Sequence, residues 1–255
     1  MKNPKTVLIT GASSGIGLEL AKLYAKSGVT LMLTGRDGER LEQAATACRA
    51  KGAAVKTTTI PVTDREAFEK QIAAWDDETP VELVIANAGV SGGHGKIGDE
   101  TEKKLRDIMA TNVDGMFNTV NPLIDRMRQR KKGHIALMSS IAGFRGLPTA
   151  PAYSTSKNAV RAYGEALRPL LAKDNVEVCN VHPGFVRTPL TDKNDFEMPF
   201  IMGPERAARI IKKGIEQNRA VMAFPWQMRW FMRLATLLPR CWSDALLVNA
   251  LRKKK

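Results

Sequence analysis

The feature that most constrains this chain is a regular alternation of short apolar runs with longer stretches of helical periodicity. "TVLIT" (6–10), "VTLMLT" (29–34), "AVKTTTI" (54–60), "VELVIA" (81–86), "HIALMS" (134–139), "VEVCNV" (176–181) and "AVMAF" (220–224) have the length and content of strands. "IGLELAKLYAKSG" spaces Ile16, Leu20, Leu23 and Tyr24 at helical intervals and stops at Gly28, while "ERLEQAATACRAKG" stops at Gly52. "AFEKQIAAW", a long helix near 102–130, and "AYSTSKNAVRAYGEALRPLLAK" occupy later intervals. Strands that are apolar throughout must be covered on both faces, and helical crossovers between them make the strands parallel. The expectation is an α/β fold: one doubly wound parallel sheet of about seven strands, with helices on both faces, spanning 1–255 as a single domain.

Composition narrows the function classes. The 255 residues carry 39 Lys and Arg against 26 Asp and Glu, a formal charge of +13. Such a balance favours anionic partners. The basic residues are nevertheless spread along the chain except at "LRKKK", and no nucleic-acid motif accompanies them, so nucleic acid is not expected as a partner. No apolar run approaches the roughly 18 residues of a spanning helix, and the opening "MKNPKTVLIT" has no signal-peptide h-region. Three scattered cysteines, Cys48, Cys179 and Cys241, suggest neither a disulfide framework nor a metal site. A reducing, cytoplasmic setting is expected.

In doubly wound sheets ligands bind beyond the carboxyl ends of the strands, so the segments following each strand carry the functional information. After the first comes "TGASSGIG" (10–17), with Gly11, Gly15 and Gly17 in GxxxGxG spacing. Small residues there let a ligand approach the backbone, and the N–H groups and dipole of the following helix suit a pyrophosphate. After the second comes "LTGRDGER". An NAD site usually has a carboxylate here for the ribose hydroxyls, but Thr34 and Gly35 stand in that place, followed by Arg36. A guanidinium can pair with a 2′-phosphate that a carboxylate would repel, which favours NADP(H) over NAD(H). Asp37 would reverse that preference if the register slipped by one residue.

After the fifth strand, "HIALMSSIAG" ends in Ser139 and Ser140, and thirteen residues beyond Ser140 stands Tyr153 in "YSTSK", with Lys157 four positions later. Positions i and i+4 share a helix face, so the ammonium can sit near the phenol. A tyrosine titrates near pH 10, and a proton exchanger working at neutrality must titrate about three pH units lower, roughly 4 kcal/mol of phenolate stabilisation. A neighbouring lysine cation and a cofactor bearing a cationic nicotinamide have the right sign to supply it.

Taken together, TGxxxGIG, the "NAG" of Asn87, Ala88 and Gly89, Ser140, YxxxK and "HPGFVRTPL" (182–190) resemble the short-chain dehydrogenase/reductase family over about residues 5–190. The resemblance implies a Rossmann-type sheet of strand order 3-2-1-4-5-6-7, reversible hydride transfer between NADP(H) and a carbonyl/alcohol pair, and a homodimer or homotetramer. It implies that Tyr153 is the general acid in reduction and the base in oxidation. Lys157 would bind the nicotinamide ribose and lower the Tyr153 pKa, Ser140 would hydrogen-bond the substrate oxygen, and Asn112 in "MATNVDG" would hold a water that relays protons to the lysine. Gly11, Ser13, Ser14, Gly15, Ile16, Gly17, Arg36, Val62, Asn87, Ala88 and Gly89 would line the cofactor cleft. Pro183, Gly184, Val186 and Thr188 would meet its nicotinamide side. One departure stands out: "IPVTD" has Pro61 where relatives usually have an aspartate for the adenine amine, leaving Val62 to present backbone atoms and Asp64 to cap a helix.

Other constellations are weaker. His94, His134 and His182 are too dispersed for a metal site; His134 reads as structural, and His182 as a residue that could line the cleft. The loop 91–100 can border the substrate, and a lid at about 185–205 has an oily side in Phe196, Met198, Phe200, Ile201 and Met202, which favours a hydrophobic carbonyl or alcohol. A non-catalytic redox sensor, or a lipid-surface protein on the same fold, competes with the reductase; the full Ser–Tyr–Lys–Asn set favours chemistry. Beyond the last strand, an extension over about 225–255 contains "WQMRWFMRLATLL". At 100° per residue Arg229, Arg233 and Thr236 fall in one narrow sector, while Trp230, Phe231, Met232, Leu234, Leu237 and Leu238 fill most of the rest, and Pro239 ends the helix. So broad an apolar face must cover the substrate cleft or a neighbouring subunit, or make peripheral contact with an anionic membrane through residues 226–255.

Overall fold

A computed structural model describes residues 1–91, 101–192, 194, 197–237, 239 and 242. Seven parallel strands form one sheet in the order β3-β2-β1-β4-β5-β6-β7. They are β1 (Thr6–Thr10), β2 (Thr30–Thr34), β3 (Ala54–Thr58), β4 (Leu83–Ala86), β5 (Gly133–Met138), β6 (Val176–Pro183) and β7 (Val221–Phe224). The helices are α1 (Gly15–Tyr24), α2 (Gly38–Arg49), α3 (Arg65–Glu78), α4 (Glu102–Met109), α5 (Gly115–Arg130), α6 (Pro151–Ala172), α7 (Pro204–Glu216) and α8 (Trp226–Leu237). Class and strand order match the expectation.

Alternate side chains of each strand point to opposite faces, and the two cores divide accordingly. Val7, Ile9, Leu31, Leu33 and Ile85 pack with Leu20 of α1, Leu41 of α2 and Ile211 of α7. Leu8, Met32 and Val84 pack on the other face with Phe68 of α3, Val120 of α5 and Val160 of α6. Cys48 and Cys179 are buried free thiols; Cys241 and His94 lie outside the described residues.

Several strand ends shift by one or two residues from the sequence reading, and two differences bear on the site. Strand β6 runs two residues past "VEVCNV" because His182 and Pro183 pair with Ala223 and Phe224 of β7. The expected helix near 102–130 is divided between α4 and α5 by a π-helical turn at Ala110–Asp114, where the Gly115 N–H donates to the Ala110 carbonyl five residues back. A π turn inserts one residue into the helical ladder and rotates the side chains that follow. Here it places Asn112 in the interior, 1% exposed.

The position of α6 sets the site, and that position rests on a close approach to β6. A methyl group at Gly164 would overlap the Asn180 side chain, whose Nδ2 donates to the Arg161 carbonyl at 2.9 Å. Gly164→Ala is therefore expected to push α6 off the sheet and to lower stability by about 2 kcal/mol through overpacking. Urea unfolding of parent and variant checks this; unchanged stability would show that the helix can yield there.

Candidate active site

The loop after β1 is a phosphate-sized cradle. Gly11 and Gly15 have φ of +68° and +55°, which side-chain-bearing residues rarely adopt, and a Cβ at Gly17 would overlap the Gly11 carbonyl oxygen. Ser14, the extended N-cap of α1, makes no side-chain cap hydrogen bond, so the first-turn N–H groups keep their donor capacity for a ligand. Glycines that let the backbone approach and uncapped helix-start donors are what a pyrophosphate requires. Ser13 reaches towards the end of β2, where a Cβ on Gly35 would stand 3.0 Å from its hydroxyl. The next residue, Arg36, is exposed. Asp37 faces the start of α2 instead: it caps the helix by accepting from the Arg40 N–H at 3.0 Å and pairs with the Arg40 guanidinium at 2.5 Å. The Arg40 N–H first, and then its guanidinium, hold the Asp37 carboxyl below the usual range. Val62 is buried, and its carbonyl accepts from Asn118 at 2.8 Å. Asp64 caps α3, as its place in the sequence suggests.

The segment after β4 is laced to the end of β1. The Thr10 hydroxyl accepts from the backbone N–H groups of Asn87 and Ala88, each at 3.0 Å. The Asn87 amide donates to the Thr10 and Gly11 carbonyls at 2.9 and 3.2 Å. Gly89 brings this segment beside α6, since a Cβ there would lie 3.3 Å from Lys157 Nζ and 3.2 Å from Asn112 Oδ1. Asn112 in turn accepts from the Val90 N–H at 2.7 Å and donates to the Val90 carbonyl and the Ser156 hydroxyl, both at 3.0 Å. One side chain thus joins the β4 loop, the π turn and α6.

Ser140, Tyr153 and Lys157 converge beyond β5. The Ser140 hydroxyl donates to the Pro183 carbonyl at 3.3 Å and accepts from the Ala142 N–H at 3.1 Å. Ser139 donates to the Lys157 carbonyl at 2.6 Å, fixing the first turns of α6 against the strand end. Lys157 Nζ donates to the Met138 carbonyl at 2.9 Å and stands 5.7 Å from the Tyr153 ring centroid. Burial lowers the Lys157 pKa to about 8. Burial also pushes the Tyr153 phenol above its usual 10.0, and a hydrogen bond with Ser140 pulls only partly against it. The depressed tyrosine pKa expected from the neighbouring cation is therefore not what the protein alone produces, because desolvation of the phenolate outweighs the hydrogen bond.

His182 is corrected as well. It does not border the cleft but is fully buried beneath it, its ring 4.6 Å from that of Phe144 and Nδ1 3.3 Å from the Ser140 carbonyl oxygen. Burial lowers its pKa to about 4, so it is neutral near pH 7. His134 is structural, within hydrogen-bonding distance of Glu177 and Cys179. Among the described residues no three His, Cys, Asp or Glu side chains cluster as a metal site.

These groups open into a cleft of about 470 Å³. Its floor is Asn87, Gly89, Ser140, Tyr153 and Lys157; Ile16, Pro183, Gly184, Val186 and Thr188 form one wall. Ile141, Ala142, Leu147, Phe185 and Leu190 make the rest largely apolar. The segment expected to form a lid contributes Pro199 and Phe200 to the lining, and Val186 forms an isolated parallel bridge with Met202; Phe196 and residues 92–100 of the expected substrate-bordering loop lie outside the described residues. Sequence reasoning had no pattern pointing to Leu147 and Thr149, which enter because the loop before α6 folds over the strand ends. Helix α8 borders the cleft with Gln227, Met228, Phe231 and Met232. Met228 and Met232 face the cleft, while Trp226, Trp230, Leu234 and Leu237 are exposed beside Arg229 and Arg233.

Comparison with known proteins agrees with this architecture. The family model described as short chain dehydrogenase matches residues 5–198. An uncharacterized oxidoreductase of Myxococcus xanthus is 39% identical over 242 residues, 94% of this chain and 95% of that one. An NADP-dependent (R)-specific alcohol dehydrogenase of Lentilactobacillus kefiri is 33% identical over 192 residues, 74% of this chain and 75% of the relative. Among solved structures, a short-chain dehydrogenase from Sphingobium yanoikuyae in complex with NADPH superposes with a TM-score of 0.80 at 24% identity, covering 98% and 97% of the two chains. The chain belongs to the short-chain dehydrogenase/reductase family. It is an NAD(P)-dependent oxidoreductase acting on CH–OH and C=O groups.

Because Asn112 is the shared partner of Val90 and Ser156, Asn112→Ala takes their side-chain partner from the half-buried Val90 N–H and carbonyl, while the Ser156 hydroxyl keeps its bond to the Tyr153 carbonyl at 2.8 Å. A loss of about 1–3 kcal/mol in denaturant stability is expected. A variant as stable as the parent would mean that the β4 loop does not depend on it.

Proposed function

We propose that this protein interconverts a hydrophobic carbonyl and a secondary alcohol using NADP(H). The observation that carries the reading is the convergence of Ser140, Tyr153 and Lys157 on the floor of an apolar cleft beside the glycine cradle. The cradle of Gly11 to Gly17 would hold the pyrophosphate, with Asn87, Ala88 and Gly89 beneath the cofactor and Pro183, Gly184, Val186 and Thr188 on its nicotinamide side. The nicotinamide supplies or accepts the hydride. Ser140 and Tyr153 hold the substrate oxygen, and Tyr153 gives its proton to that oxygen in reduction or takes one in oxidation. Burial keeps the phenol protonated at neutral pH, the form needed to donate in reduction. Lys157, still largely charged at pH 7, positions the nicotinamide ribose and favours the phenolate left after transfer. Asn112 holds the Val90 loop and Ser156 in register with that lysine. The apolar walls select a substrate without charge and exclude water around the reacting oxygen.

For the cofactor, the reading rests on the absence of a carboxylate at Thr34 and Gly35, the exposed Arg36 that follows Gly35 where the latter packs on Ser13, and the engagement of Asp37 with Arg40. The NADP-dependent relative and the NADPH complex point the same way, although a structural neighbour from Mycobacterium paratuberculosis is bound to NAD.

Three measurements test this. Tyr153→Phe should lower kcat for reduction of a hydrophobic ketone by about a hundredfold or more while leaving NADPH affinity nearly unchanged; full retained activity would overturn the assignment. Arg36→Glu should shift the ratio of kcat/KM for NADPH over NADH by at least about tenfold towards NADH, and an unchanged ratio would remove Arg36 from cofactor choice. With the parent enzyme, kcat/KM for reduction should fall as pH rises through about 8, where Lys157 loses its proton. Lys157→Arg, whose guanidinium keeps its charge, should retain its residual activity across that range.

A further inference from the structure

Helix α8 has two apolar faces with different neighbours. Met228 and Met232 face the cleft. On the opposite side Trp226, Trp230, Leu234 and Leu237 are 67, 55, 58 and 81% exposed, within a sector roughly 80° wide. Arg229 and Arg233 border that sector, and the Arg233 guanidinium lies 6.0 Å from the Trp230 ring. Phe200, 56% exposed on the lid, and Phe231, 40% exposed on α8, place further apolar surface at the rim of the same cleft. Residues 226–255 contain seven arginines and lysines against one carboxylate, Asp244.

We propose that the outward face of α8 docks on an anionic phospholipid surface, with the mouth of the cleft turned towards the bilayer. Tryptophan and leucine flanked by arginine is the composition of a helix lying in the interface, apolar side chains among the acyl chains and cations at the headgroups. No helix among the described residues is long and apolar enough to cross a membrane, so the association is peripheral. Pairing with a second copy through the same face is disfavoured by charge: residues 226–255 carry seven cations against one carboxylate, so a twofold contact would bring two strongly basic segments together. Phe231 borders both the docking face and the cleft, so an apolar carbonyl dissolved in the lipid could reach Tyr153 without crossing bulk water. That consequence for substrate class rests on the reductase reading; the docking itself does not.

The test is co-sedimentation of the full chain with vesicles of phosphatidylcholine alone and of phosphatidylcholine mixed with phosphatidylglycerol. The parent should sediment with the anionic vesicles, less so at high salt, and with a blue shift in tryptophan emission. Trp230→Ser/Leu234→Ser should weaken partitioning by about tenfold or more. Arg229→Gln/Arg233→Gln should weaken it by about fivefold per arginine on anionic vesicles only. Neither double variant touches the cleft floor, so thermal unfolding and turnover of a small water-soluble ketone should match the parent. Sedimentation of Tyr153→Phe like the parent would keep docking separate from the catalytic assignment. Failure of the parent to bind anionic vesicles, or equal binding by the Trp230→Ser/Leu234→Ser variant, overturns the proposal. A parent that ignores vesicles but forms a larger species in solution, lost in that variant, also overturns it and assigns the face to contact between copies.

Discussion

Strands β1 and β4 are neighbours at the centre of the sheet, and their chains diverge just past their carboxyl ends. The Thr10 hydroxyl and the Asn87 amide hold that divergence in place: Thr10 accepts two backbone N–H groups of the β4 segment, while Asn87 donates to two carbonyls of the β1 segment. Buried backbone groups must be paired, and at a point of divergence the sheet ladder can no longer pair them. These four bonds therefore fix how wide the crevice is. On one side of it the glycine loop turns into α1; on the other, Gly89 leads to Asn112 and Lys157. Geometry at both ends of the crevice depends on this lacing.

The second dependence is on α6. One helix carries Tyr153 and Lys157 towards the cleft, Ser156 towards Asn112, Val160 into the core and Gly164 against β6. Its close seating removes water from two ionisable groups at once, with opposite protonic consequences: the phenol holds its proton more tightly and the ammonium holds its proton less tightly. The Met138 carbonyl, the Ser139 hydroxyl and Asn112 supply polar contacts around the lysine segment that a wholly apolar pocket would lack. A protonated phenol and an ammonium are thereby kept in a low-dielectric site where small changes in charge have large effects.

Much of this was legible in the sequence because it depends on local rules. Gly11, Gly15 and Gly17 announce a turn that only small residues can make, and Tyr153 and Lys157 announce a shared helical face through their spacing. His182 illustrates the limit. Its place beside Pro183 suggests a cleft wall, yet strand β6 continues through it and the pleat directs the ring into the interior, against Phe144. The π turn at Ala110–Asp114 is equally silent in the residue pattern, since one extra residue in a helix leaves apolar periodicity on either side nearly intact. Helix α8 was recognisable as too apolar for free solution, but a wheel projection cannot say which side meets the cleft.

By itself the sequence determined the parallel sheet, the order of its elements, the tight glycine turn and the shared helical face of Tyr153 and Lys157, because strand period, helix period and backbone sterics act over a few residues. Tertiary structure alone decided that Asp37 faces Arg40 rather than the cleft, that burial raises the Tyr153 pKa, and that α8 offers Met228 and Met232 to the cleft while exposing Trp226 and Trp230. Those outcomes depend on which distant segments exclude water from a side chain, and no local pattern carries that information.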